Sequence, residues 1–218
     1  MVVCLFGTRV QEVEAFLDGC AVLNQCFLFE VFPEVHVDCS REVASLLIER
    51  FTDKVYSLED RPFEHVVGSI LVSEGLTVAT AESCTGGLIG HLLTNVPGSS
   101  NYYRLGVVAY SNEAKMAVLG VQEGTLRKHG AVSKEVVLDM ADGVRRLGHT
   151  DIGVSVSGIA GPSGGTKEKP VGTVWMAVSR PPVAHAEVHL FEGNREAIKK
   201  QSAMHALNLV RKVALWKV

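Results

Sequence analysis

Between Phe63 and Leu93 the hydrophobic rhythm of the chain changes twice. Phe63, Val66, Val67, Ile70 and Leu71 recur at i, i+3, i+4, i+7 and i+8, the stripe of an amphipathic helix that Gly75 closes. Thr77-Val78-Ala79-Thr80-Ala81 is then a short β-branched, apolar-leaning run, which reads as a buried strand. Polar Glu82-Ser83-Cys84-Thr85 and two glycines follow, and Leu88, Ile89, Leu92 and Leu93 restore helical spacing. A strand, a tight turn and a helix start therefore meet at Ser83. In open α/β sheets ligands bind where strands end and helices begin.

The same alternation continues to the C-terminus. Asn95 to Ser100 is a loop by composition, and Leu105 to Tyr110 reads as a strand. Ser111 or Asn112 caps a helix containing Glu113 and Lys115; after Gly130, Ser133 opens another, with Val136, Val137, Met140, Val144 and Leu147 on one face. Ile152 to Val156 is a buried strand running into a glycine-rich loop, Ser157 to Thr166. Strands are expected over Val171–Val178 and Ala184–Phe191, and Asn194 caps a last helix with Ile198, Ala206, Val210 and Val213 inward. This order predicts a three-layer α/β/α domain. Its sheet is expected to be mixed and mostly parallel, because the late strand pair must add an antiparallel strand.

The first 57 residues are a separate, small α+β section. Val10, Val13, Phe16 and Leu17 are spaced as a helix, and Phe27–Phe32 and Val35–Asp38 as short strands around Pro33. Ser40 caps a helix with Val43, Ala44, Leu47 and Phe51 on its apolar face. The acidic turn Glu59-Asp60-Arg61-Pro62 marks the boundary, with Pro62 suited to a first helical position, so the expected division is 1–57 and 58–218.

Composition narrows the function classes. The chain has 218 residues, 47% of them hydrophobic, and a formal net charge of -3 with no long single-sign run. That fits a filled core and points to neither nucleic acid nor an anionic membrane as partner. The first section also has no GxxG loop to clamp nucleic acid. Its N-terminus lacks a basic start, and Gly19 to Phe29 is too short to span a bilayer. The five cysteines, Cys4, Cys20, Cys26, Cys39 and Cys84, match no zinc or CxxC spacing, so reduced thiols in a cytoplasm are expected.

Candidate chemistry gathers at the first turn. Ser83 needs a base to act as nucleophile. No two of the eight histidines share a helix face at ligand spacing, so no metal is expected, and a lysine base is the alternative. Lys115, after the 105–110 strand, falls at the same general edge; burial would lower its pKa, and Tyr110 could hold or relay the proton. The bland alternative makes Ser83 a helix cap and Lys115 a solvated residue. Cys84 is a rival nucleophile if the helix start depresses its pKa, or else a buried packing residue. The 157–166 loop is a turn or a phosphate cradle, without the Gly-Lys-Ser/Thr end of a Walker motif. Lys167, Lys169 and Arg195 add positive charge near it, and an anion would relieve the cost of an arginine at a helix start.

From about Phe63 onward the sequence closely resembles the C-terminal domain family of the competence/damage-inducible protein CinA. The matching segments are TVATAESCTGG (77–87), GVVAYSNEAK (106–115), HGAVS (129–133), SGIAGPSGGTKEKPVGTVW (157–175) and FEGNREAIK (191–199). The resemblance implies a nicotinamide-nucleotide amidohydrolase, converting nicotinamide mononucleotide and water to nicotinate mononucleotide and ammonia without metal or cofactor. It implies Ser83 as nucleophile, Lys115 as general base and Tyr110 as assistant. The N–H groups around Thr85, Gly86 and Gly87 would face the oxyanion. The loop, through Ser157, Gly158, Gly161, Gly164 and Gly165, would hold the ribose phosphate together with Arg195. A homodimer is implied as well. Asn194 departs from the family's usual aspartate but caps a helix equally well. LFGTRVQEVEAFL (5–17) and FPEVHVD (32–38) resemble the small KH-like connecting region of long members. Their large molybdopterin-binding-like first domain has no counterpart here, so its pyrophosphatase activity is expected to be absent. A catalytically silent nucleotide-binding or interaction module tied to competence or DNA damage is the competing expectation, and an amidase for another small amide a third.

Overall fold

The structure, a computed structural model, describes residues 1–31 and 33–216. Two compact units divide the chain, Met1–Val66 and Val67–Val218.

The first unit contains β1 (Val2–Phe6), α1 (Val10–Gly19), β2 (Phe27–Val31), β3 (Glu34–Asp38), α2 (Arg41–Arg50) and β4 (Val55–Ser57), and it ends within α3 (Phe63–Ser73). Its sheet has the order β2-β3-β1-β4 with every pairing antiparallel. Val3, Leu5, Val35 and Val37 of the strands meet Val13, Leu17, Val43 and Leu47 of the helices in a core of its own. Ser40 caps α2 as expected, its hydroxyl accepting from the Val43 amide. The end of the expected 27–32 strand, and the start of the 32–38 match, fall on Phe32, outside the described residues. Pro62 precedes the first residue of α3 rather than occupying it, and its carbonyl accepts the Val66 amide.

The second unit contains β5 (Val78–Glu82), α4 (Leu88–Thr94), β6 (Tyr103–Val108), α5 (Asn112–Leu119), α6 (Glu123–His129), α7 (Lys134–Gly148), β7 (Ile152–Gly158), β8 (Thr173–Arg180), β9 (Val183–Leu190) and α8 (Arg195–Leu215). Its sheet runs β6-β5-β7-β8-β9. The β5–β6 and β5–β7 pairs are parallel, and the β7–β8 and β8–β9 pairs antiparallel. β8 therefore opposes the other strands, and β5, β6, β7 and β9 all end at one edge of the sheet.

Alternation along the strands separates two helical layers. Ala79 and Ala81 of β5 pack on Val136, Met140 and Val144 of α7. On the opposite face, the Glu82 carboxylate reaches the start of α4, and α4 and α8 pack together. Gly153 lets α7 approach the sheet: a Cβ there would lie 2.0 Å from the Ala141 carbonyl oxygen. The three-layer α/β/α arrangement with a mixed sheet is thus the observed fold.

Two local expectations need correction, and one helix was not anticipated. Leu147, expected on the inner face of its helix, is exposed in the last turn of α7. β8 begins at Thr173 rather than Val171, because Gly172 turns the chain at φ 95° against the Phe191 carbonyl. The short helix α6 carried no apolar stripe that reveals it; only Leu126 of its residues is buried.

Candidate active site

The carboxyl ends of the parallel strands deliver the candidate residues to one place. Glu82 ends β5 between Val108 of β6 and Val156 of β7, so Ser83, the Ala109–Tyr110 segment and Ser157–Gly158 are neighbours across the sheet edge. β9 ends at the same edge, and the turn after it starts α8 at Arg195. Asn194 caps that helix by accepting from the Ala197 amide at 2.9 Å.

Ser83 and Lys115 meet. Ser83 is fixed by its amide, which donates to the Val156 carbonyl at 3.0 Å. Lys115, on the first turn of α5, is only 1% exposed, and its Nζ lies 3.1 Å from Ser83 Oγ. The amine also donates to the Ala109 carbonyl at 2.9 Å and approaches the Tyr110 carbonyl at 3.5 Å. Burial lowers its pKa, against the opposing influence of Cys84 and Glu113. A neutral lysine amine has two N–H donors and one lone pair. Two carbonyls for the donors leave the lone pair for the serine hydroxyl, which is the geometry of a general base.

Tyr110 plays a different part from the one expected. Its carbonyl, not its hydroxyl, faces Lys115, and the hydroxyl accepts from Arg195 Nη2 at 2.9 Å. Arg195 Nη1 donates to the Gly161 carbonyl at 2.6 Å, so the glycine-rich loop orients the guanidinium. A cavity of about 220 Å³ is lined by Ser83, Lys115, Tyr110, Ser157, Gly158 and Arg195, among others. The Ser157 hydroxyl is turned to the Ala131 carbonyl at 2.8 Å. Gly164 and Gly165 do not line this cavity; Gly165 is pressed on the backbone of Val171, where a Cβ would lie 2.7 Å from the amide nitrogen. Lys169 is a strut, donating to the His129 and Val132 carbonyls at 3.0 and 2.7 Å, and Lys167 is exposed.

The helix start after the turn is already occupied. Buried Glu82 accepts from the Gly87, Ile89 and Gly90 amides at 2.9, 3.1 and 2.9 Å, and the Gly86 amide donates to the Ser83 carbonyl at 3.1 Å. The expectation that Gly86 and Gly87 supply oxyanion donors is therefore corrected. Of the amides on this turn, that of Cys84 faces its own thiol, and among the described residues that of Thr85 donates to no backbone carbonyl. The Thr85 hydroxyl is buried without a partner. The sequence signal for this role of Glu82 is an acid placed just before a glycine-rich helix start.

Cys84 is 5% exposed, and burial pushes its thiol up to about 12, opposite to what a nucleophile needs. Cys84→Ala is expected to change the turnover of the serine centre by less than roughly threefold, as measured in steady-state kinetics.

Beside Arg195 a larger cavity of about 740 Å³ opens between α4 and α8, with Thr85, Gly86, Gly87, His91, Lys199 and Lys200 in its wall. The sequence reading missed His91, Lys199 and Lys200. Lys199 stands one helical turn beyond Arg195, which was the legible signal.

Fold and site together define an α/β/α protein with a serine–lysine pair at the carboxyl edge of a mixed sheet. Residues 60–214 match the CinA C-terminal domain, and the chain belongs to that family. A CinA-like protein of Thermosipho melanesiensis is 47% identical over 79% of this chain and 43% of its own length. Another, from Desulfotalea psychrophila, is 42% identical over 97% of this chain and 55% of its own. The chain thus spans about half the length of the curated relatives it matches. A CinA superfamily protein from Klebsiella pneumoniae 700603 superposes with a TM-score of 0.68 at 37% identity, covering 71% of this chain and 97% of that one. The Escherichia coli superfamily protein gives a TM-score of 0.68 at 30% identity, covering 76% and 98%. Among the described residues no helix is long and apolar enough to cross a membrane.

Proposed function

We propose that the chain is a nicotinamide mononucleotide amidohydrolase, releasing nicotinate mononucleotide and ammonia. The observation that carries this reading is the 3.1 Å contact between Ser83 Oγ and the buried amine of Lys115. An amide is a weak electrophile, so the serine must be deprotonated as it attacks and the developing oxyanion must be held. Lys115 takes the Ser83 proton as the Oγ–carbon bond forms. The Thr85 amide is the donor left to meet the oxyanion. Lys115 then returns the proton to the leaving nitrogen, ammonia departs, and an ester to Ser83 remains. Water attacks that ester with Lys115 again as base, and nicotinate mononucleotide leaves. Arg195, with Lys199 and Lys200 beyond it, supplies positive charge for the 5′-phosphate in a wall that also carries Glu196. Binding energy from that remote group orients the amide at Ser83.

The test is ammonia release from nicotinamide mononucleotide with EDTA present. Wild type should turn over and Ser83→Ala should not. Binding without release above the Ser83→Ala control would instead support the silent module, and release from other small amides alone would support a different amidase. A homodimer goes with the proposal, and its support is the edge position of β9 among the described strands, with Val188 and Leu190 exposed.

A further inference from the structure

Helical spacing pairs no two histidines of this chain, but strand spacing does. His185, Glu187 and His189 alternate along β9 and so share one face of the strand. α8 brings His205 against that face, with its ring centroid 4.5 Å from that of His189. The ligand atoms of Glu187, His189 and His205 all lie within 4.8 Å of one another. His189 Nε2 is 2.7 Å from Glu187 Oε1, and His185 Nε2 is 3.7 Å from Glu187 Oε2.

We propose that Glu187, His189 and His205 form a binding site for a divalent transition-metal ion, with water completing its coordination. Two imidazoles and one carboxylate are a donor set for zinc and its neighbours, not for calcium or magnesium, which take oxygen. Bonded at about 2.0–2.2 Å in a tetrahedron, such ligands stand roughly 3.4 Å apart, so the side chains need move inward by no more than about 1.5 Å. All three are half-buried, which leaves a path for the ion and for a water ligand. Phe191 fixes the two rings: it stacks on His189 at 5.1 Å with planes 4° apart and lies 5.0 Å from His205. Lys212 also faces this group and is the cation the carboxylate has to outweigh. None of the proposed ligands lines either cavity near Ser83. The ion would join edge strand β9 to α8 across the 191–194 connection, and α8 begins with Arg195. Its role is to hold that connection, not to take part in the amide chemistry.

The experiment uses the full chain, stripped with EDTA and freed of chelator. Zinc chloride is titrated by calorimetry, and cobalt chloride is followed through its visible d–d absorption. Wild type should bind zinc at on the order of one ion per chain and give the intense visible band of a four-coordinate cobalt site. Glu187→Gln and His189→Gln should each weaken zinc binding by about tenfold or more and bleach the band, while His149→Asn, remote along the chain, should leave both unchanged. Circular dichroism checks that each variant is folded, and two independent ligand variants guard against one that is not. Absence of zinc binding by wild type, or wild-type affinity in both folded ligand variants, overturns the proposal.

Discussion

Lys115→Met is expected to lower turnover of nicotinamide mononucleotide by about 100- to 10,000-fold while the chain remains folded. The methionine fills the volume left by the lysine stem and removes a buried amine, so no uncompensated charge is left in the core. What disappears is the acceptor for the Ser83 proton, 3.1 Å away. The free amine is the active form, so the rate should rise with pH and level off above the Lys115 pKa. Burial holds that pKa below the ordinary lysine value, so the plateau should begin at lower pH than an exposed lysine would give. A pH–rate profile of kcat/KM measures this. A wild-type profile that keeps rising to the pH of an exposed lysine, or a variant with near-normal turnover, contradicts the assignment.

Glu82→Ala should be the most destabilising change at the site, costing about 3 kcal/mol. Its carboxylate satisfies the Gly87, Ile89 and Gly90 amides at once, and the Ile89 amide is buried. Water can relieve only part of the loss. For a protein of this size that cost lowers Tm by about 10 °C, readable in thermal denaturation. Glu82→Gln keeps one carboxamide oxygen and should lose about half as much. Activity should fall in both, because the turn that fixes Ser83 springs from the same residue. An unchanged Tm in Glu82→Ala would show that the α4 amides find other partners.

Much of this architecture was legible along the chain. Helical stripes such as Phe63–Leu71 and Val136–Val144, and the caps Ser40, Ser133 and Asn194, are local signals, because burial of one face and satisfaction of the first amides act over a few residues. Leu147 misled because a stripe does not say where the covering sheet stops. The helix α6 was missed because so little of it is buried. Ser83, Lys115 and Arg195 stood out through their motifs, and the Ser83–Lys115 pairing with them, but the contacts of Arg195 and of Glu82 did not. Tyr110 gives its carbonyl to Lys115 and its hydroxyl to Arg195, a division that depends on where β6 ends relative to α8. The histidines of β9 and the one on α8 are separated by sixteen residues or more and meet only because strand and helix pack together.

The sequence by itself determined the α/β order and the strand–turn–helix that carries Ser83, since periodicity, capping and turn chemistry are short-range; it left Lys115 open between a base and a solvated residue until the family resemblance gave it a role. Only the tertiary structure decided that Glu82 occupies the helix start, that Cys84 is a buried thiol, and that the Lys115 amine is buried against the Ser83 hydroxyl. Those outcomes depend on burial and on which donors and acceptors are already paired, and the folded chain sets both through contacts between residues far apart in sequence.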